Sequence, residues 1–173
     1  MNSTENLFFE IKSQGNFIRI STKNLINYNS EIDYDNNWIN CYIEVKGGAF
    51  QGKYSAEILT ITFEDFKQKL AILYNKLDGK VIFSDLEKYC KIDISGDGSG
   101  KLRASIECND KSGIYSANLT FDIDFDQTFL KDIINQLNQI TKAFPIIGDF
   151  NISKDCLLKC VSSKIKLGLG STF

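Results

Sequence analysis

The sequence predicts an α+β fold, a mainly antiparallel, twisted sheet of about eight strands with two amphipathic helices packed on it. Three observations carry that expectation. Runs with the alternation or β-branched content of strands recur along the chain. Most are joined by short turn signals, which favours antiparallel neighbours. Two longer stretches place apolar residues at helical spacing, and each follows a set of strand-like runs. The pattern reads as a diverged ββββα duplication.

Leu7–Lys12 and Asn16–Ser21 form the first expected hairpin, turning at Ser13–Gly15. Asn24–Asn37 is polar and Asn-rich without periodicity, so a loop is expected there, and long loops in compact domains often carry function. Trp38–Lys46 alternates, with Ile39, Cys41, Ile43 and Val45 on one face and Trp38, Asn40, Tyr42 and Glu44 on the other. Gly47-Gly48 marks a turn, and Phe50–Ile61 continues as a strand. Thr62 is the expected N-cap of the first helix, whose stripe is Phe66, Leu70, Leu73, Tyr74 and Leu77, with Gly79 as the stop. Strands follow at Lys80–Ser84, Tyr89–Ser95, Lys101–Cys108 and Ile114–Phe125. A second helix begins near Asp126 with the stripe Phe129, Ile133, Leu137 and Ile140. Past Pro145, Ile152, Cys156, Leu157, Cys160, Val161 and Ile165 recur at helical spacing, which predicts a short C-terminal helix. Residues 1–145 are expected to be a single α+β domain, and 146–173 a helical extension packed on it.

The chain has 173 residues, 43% of them apolar and 24% charged, which suits one globular domain and excludes disorder as the default. The start is polar, with no basic n-region and no apolar run approaching the ~20 residues of a membrane helix. A cytoplasmic protein that does not enter a membrane is therefore expected. The cysteines, Cys41, Cys90, Cys108, Cys156 and Cys160, are odd in number and scattered, so they read as buried free thiols. Histidine is absent, which removes Ser–His–Asp and Cys–His nucleophiles and the commonest metal ligand.

Net charge is −2, from 20 basic and 22 acidic residues, which argues against nucleic acid as the direct ligand. The distribution is uneven. Asn24 to Val45 holds Glu31, Asp33, Asp35 and Glu44 but no Lys or Arg. After Ser153, Lys154, Lys159, Lys164 and Lys166 face Asp155 alone. The body is acidic and the tail basic.

Several motifs have plain readings. Gly96-Asp97-Gly98-Ser99-Gly100-Lys101 resembles a phosphate loop, but Ser95 and Leu102 stand where Gly and Ser/Thr are required, so a tight hairpin is the better account. The same stretch has too few oxygens for calcium. Cys156 and Cys160 lie on an apolar stripe, where core packing explains them better than zinc. Asp122, Asp124 and Asp126 share one strand face, which is most simply a solvated face and alternatively part of an acidic docking surface. Trp38, the only tryptophan, is either a core aromatic or an anchor beside the acidic loop. Glu31, Asp33, Asp35 and Trp38 are the candidate partner-binding residues.

Four stretches together resemble one family. Asp35-Asn-Asn-Trp38-Ile-Asn is similar to a D-x-N-W-L-x signature. Glu44-Val-Lys-Gly-Gly-Ala-Phe-Gln-Gly52 resembles its glycine-rich hairpin, and Gly96-Asp-Gly-Ser-Gly100 its second hairpin. Asp126-Gln-Thr-Phe-Leu130 is similar to the D-Q-T-Y-L opening of its last helix. They span about Asp35 to Ile140 and resemble the WapI family of bacterial immunity proteins, which are paired with contact-dependent toxins. The segment after Ile140 has no counterpart in that pattern. The resemblance implies a cytoplasmic, non-catalytic protein, without cofactors, that binds and neutralises a nuclease-type toxin domain. Two other functions fit the residues: a small-molecule carrier with a pocket between sheet and helices, and an enzyme in which acids such as Asp97, Asp122 and Asp124 converge in one cleft.

Overall fold

A computed structural model describes residues 7–26 and 30–150. The chain runs through β1 (Phe8–Ser13), β2 (Asn16–Leu25), a 3₁₀ turn (Asp33–Asn37), β3 (Trp38–Gly47), β4 (Phe50–Leu59) and α1 (Thr60–Lys76). It continues through β5 (Asp78–Ser84), β6 (Cys90–Asp97), β7 (Lys101–Asn109), β8 (Asn118–Asp126) and α2 (Thr128–Ala143). The α+β class, the eight antiparallel strands and the two helices are those expected. The strands are divided between two four-stranded meanders, β1-β2-β3-β4 and β5-β6-β7-β8. Each meander is followed by its helix, as the ββββα repeat requires. The expected C-terminal helix lies outside the described residues.

Alternation decides which face of each strand is buried. Ile39, Cys41, Ile43 and Val45 of β3 point inward, as do Ile92 and Ile94 of β6 and Leu102, Ala104, Ile106 and Cys108 of β7. Helix α1 lies against α2 and β5, and α2 lies against β1, so each helix also packs on the other half. Four phenylalanines join the halves, Phe9 of β1, Phe63 and Phe66 of α1 and Phe83 of β5, all fully buried. The Phe9 centroid lies 6.2, 5.9 and 5.6 Å from those of Phe63, Phe66 and Phe83. Phe83 lies 5.7 Å from Phe63 and 5.3 Å from Phe66, mostly edge to face, the arrangement that ring quadrupoles favour.

Several boundaries differ from the sequence reading. Helix α1 starts at Thr60 rather than after Thr62, and no side chain caps it. Thr60 and Thr62 are both buried, and the Thr60 hydroxyl donates instead to Asn37 Oδ1 at 2.8 Å. The helix ends on Leu77, not Gly79, with Leu77 in the left-handed region at φ 57°. The buried stripe is Phe63, Phe66, Leu70 and Leu73, and Tyr74 is exposed. In α2, Leu130 replaces Phe129 on the buried stripe. The last strand begins at Asn118 because Asp110 closes the preceding loop, accepting from the Ala117 N–H at 2.8 Å. That leaves Ile114 and Tyr115 exposed at the loop tip. Strand β2 continues to Leu25, paired with Ile39, so the expected 24–37 loop is shorter.

The left-handed Leu77 turn depends on a neighbour without a side chain. The Leu77 carbonyl accepts from the Gly98 N–H at 2.8 Å and sits over Gly96, where an added methyl would meet that oxygen and Leu102 Cδ2. Gly96→Ala is therefore expected to cost about 1–3 kcal/mol, the usual penalty for overpacking, measured as a lower urea midpoint at unchanged slope.

Candidate functional site

The acidic segment before β3 is ordered by its own polar groups. The Ser30 hydroxyl donates to Asp35 Oδ2 at 3.1 Å and accepts from the Ile32 N–H at 3.1 Å. The Asn36 amide donates to the Ser30 carbonyl at 2.9 Å, and the Asp35 N–H to the Ile32 carbonyl at 3.0 Å. Short polar side chains that bond nearby backbone favour such a turn over a helix or strand.

Asn37 anchors this turn to the body. It is fully buried, and both ends of its amide are used. Nδ2 donates to the carbonyls of Asp33 at 2.7 Å and Ile147 at 2.9 Å. Oδ1 accepts from Thr60 Oγ1 and from the Ile147 N–H, each at 2.8 Å. One side chain thus ties the acidic turn, the start of α1 and the chain after α2. Beyond Ile147, Gly148 lies against the Asp33 side chain, and the Phe150 ring meets Tyr34 edge-on at 6.3 Å.

Beside the turn is an open groove of about 640 Å³, lined by Ser30, Asp35, Trp38, Glu57, Glu87, Tyr89 and Ser112. Its walls come from both halves of the fold. Three carboxylates and two aromatic rings face it, and no Lys or Arg does. The far wall is fixed by Asp85, whose Oδ1 and Oδ2 accept from the N–H groups of Tyr89 at 3.1 Å and Cys90 at 2.7 Å. The Tyr89 carbonyl accepts from Tyr54 Oη at 3.0 Å, and the Asn109 amide donates to the Lys88 carbonyl at 2.7 Å. Burial pushes the Asp85 carboxyl above its ordinary value, opposed by the Cys90 and Tyr89 N–H groups that favour its ionised form.

Of the residues singled out in the sequence, Asp35 and Trp38 line this groove. Glu31 and Asp33 are exposed on the adjoining turn and do not line it. Trp38 is half-buried, so it is neither a pure core residue nor a fully exposed one. Glu57, Glu87 and Tyr89 were missed. Glu57 had a faint signal, an outward position on β4 opposite Asn40. Glu87 and Tyr89 had none, because their loop reaches the groove only through the docking of the two sheets. Ile114 and Tyr115, 89% and 83% exposed, rise from the loop that contributes Ser112.

The other carboxylates do not form a comparable site. Asp124 makes a two-pronged pair with Arg103, Nε to Oδ1 at 2.7 Å and the second nitrogen to Oδ2 at 3.1 Å. Asp97 Oδ1 accepts from Ser99 Oγ at 2.6 Å, closing the 96–101 hairpin. A second open groove of about 660 Å³ joins Asp97, Asp124 and Asp126 to Lys101 and Arg103, so its charges are mixed. Among the described residues no three carboxylates or thiols converge as a metal site would need. Cys41, Cys90 and Cys108 are buried free thiols. Burial pushes the Cys41 thiol far above its ordinary value, which makes it a poor nucleophile. Cys156 and Cys160 lie outside the described residues.

A family model described as the immunity protein WapI-like family matches residues 8–145. No curated protein sequence matches the chain. Three solved structures are similar in backbone. Trypanosoma bruciei MRP1/MRP2 has a TM-score of 0.46 at 9% identity, covering 82% of this chain and 87% of that one. WHY1 from Arabidopsis thaliana has a TM-score of 0.45 at 8% identity, covering 100% and 99%. The plant transcriptional regulator PBF-2 has a TM-score of 0.43 at 7% identity, covering 99% and 92%. Among the described residues no helix is long and apolar enough to cross a membrane.

Asn37→Ala removes the partner of up to four buried polar groups, each costing about 1–3 kcal/mol when orphaned, so a net loss of about 2–4 kcal/mol is expected in urea unfolding. Asn37→Asp keeps the acceptor but loses both donors and is expected to be nearly as damaging. For Asp85 the native state holds the proton more tightly than the unfolded chain. Its favourable contribution is therefore full below the ordinary carboxylate range and is lost as pH rises through the raised value. Asp85→Asn removes that loss, so the stability difference between variant and wild type should move in the variant's favour from about pH 3.5 to about pH 7.

Proposed function

The chain belongs to the immunity protein WapI-like family, and from that membership we propose that it binds and neutralises a cognate toxin domain at the acidic groove. The carrying observation is the groove itself, with Asp35, Glu57 and Glu87 set between Trp38 and Tyr89 and no basic residue among them. An inhibitor acts by covering its target, so it needs rigidity and complementarity rather than chemistry. The groove has both: its near wall is held by Asn37 and its far wall by Asp85. The half-buried Trp38 and Tyr89 are the aromatic anchors that interface hot spots favour, and the carboxylates match a basic partner. Ile114 and Tyr115 extend the contact on one side, and Glu31 and Asp33 widen the acidic rim.

The favoured toxin is a nuclease. An enzyme that grips a phosphate backbone presents a basic surface, and an acidic face both blocks that surface and speeds encounter. This reading places the protein in the cytoplasm, where such a toxin would meet its substrate.

Co-expression with the toxin domain encoded beside its gene tests the proposal. A complex burying at least about 1,000 Å² is expected. Asp35→Asn, Glu57→Gln and Glu87→Gln together should weaken it more than tenfold, mainly through slower association and a flatter salt dependence. Trp38→Ala should cost about 2 kcal/mol or more of binding. No complex at micromolar concentrations, or full affinity in the folded triple variant, would refute the groove as the docking surface.

A further inference from the structure

We propose that the basic segment after Phe150 lies in the acidic groove of the free protein, as an internal occupant that a partner must displace. Three observations converge on this placement. The first is where the described chain ends. Ile147 is bonded through both its N–H and its carbonyl to Asn37. Gly148 abuts Asp33, and Phe150 meets Tyr34, the neighbour of the groove-lining Asp35. Residue 151 therefore starts at the rim of the groove rather than across the molecule.

The second is charge. Residues 154–166 carry Lys154, Lys159, Lys164 and Lys166 against Asp155 alone. The rim and walls they would meet carry Glu31, Asp33, Asp35, Glu57 and Glu87. The third is apolar surface. Ile32 and Ile147 remain 59% and 39% exposed beside the exit point, and Trp38 is half-covered. The spacing of Ile152, Cys156, Leu157, Cys160, Val161 and Ile165 supplies an apolar stripe of the kind that covers such residues. Helical chain rises about 1.5 Å per residue, so residues 153–165 span about 18 Å, enough to cross the groove.

The contact is an ionic and apolar docking with no bond made or broken. It does not depend on the toxin reading; only its consequence does, namely that the tail competes with the partner and slows its binding. A segment tethered this close has a high effective concentration, so weak contacts suffice to hold it.

The full chain without any partner is the test material. Zero-length carbodiimide coupling joins a lysine only to a carboxylate in contact with it. Mapped by mass spectrometry on a mixture of isotope-labelled and unlabelled chains, it should join Lys154, Lys159, Lys164 or Lys166 to Asp35, Glu57, Glu87, Glu31 or Asp33 within one chain. Trp38 gives a second readout as the sole tryptophan. Changing the four lysines to Gln should remove the cross-links and raise quenching of Trp38 by acrylamide. Moving from about 0.01 M to about 1 M salt, which shortens screening from about 30 Å to about 3 Å, should act in the same direction. Links only to other surfaces, links only between chains, or Trp38 quenching indifferent to all four lysines would overturn the proposal. If the tail docks but the four-Gln variant binds the toxin domain no faster, the docking stands and the groove fails as the toxin site.

Discussion

The cluster of Phe9, Phe63, Phe66 and Phe83 is the contact on which the rest of the molecule depends. Each ββββα half has a hydrophobic sheet face and a hydrophobic helix stripe, and neither is covered within its own half alone. Phe9 from the first strand and Phe83 from the fifth meet on the inner face of α1. Burying four such rings removes a large apolar area from water and sets how one sheet lies against the other. The acidic groove follows from that alignment. Asp35, Trp38 and Glu57 belong to the first half, Glu87, Tyr89 and Ser112 to the second.

On this apolar scaffold two buried polar residues hold the groove in shape. A polar group in a core destabilises unless its bonding capacity is met, and once met it tolerates few alternative arrangements. Asn37 is the clearer case, since each of its bonds ends on a different segment. Asp85 does the same for the turn before β6 at a greater desolvation cost. Functional side chains thus sit on loops, while their backbones are held almost as firmly as strands. A surface that recognises by shape and charge needs that rigidity, because ordering a loop on binding subtracts from affinity.

The chemistry of the chain is consistent with recognition rather than turnover. Its thiols are buried, its exposed carboxylates are held by arginine or by hairpin hydroxyls, and its one unmixed charged groove is open to solvent. An acidic groove between aromatic walls complements a basic partner, whether another protein or the chain's own lysine-rich end. Competition between the two would let a tight-binding protein remain soluble and unengaged until its partner arrives.

Alternation and helical periodicity were enough to find every strand and both described helices, because burial of one face imposes those periods on the residues themselves. The acidic turn and Trp38 were visible for a related reason: clustered like charges beside a lone tryptophan are rare in a strand that only needs to fold. Contacts between distant segments were not visible. Thr62 resembled a cap, yet Thr60 gives its hydroxyl to Asn37 across the fold. Gly79 resembled a stop, yet the chain turns at Leu77 because Gly96 leaves room for its carbonyl. Glu57, Glu87 and Tyr89 carried no shared signal, since they meet only when the sheets dock. Local pattern determined which elements form and which faces are apolar. The docking of two sheets, a long-range event governed by shape, decided where the carboxylates converge.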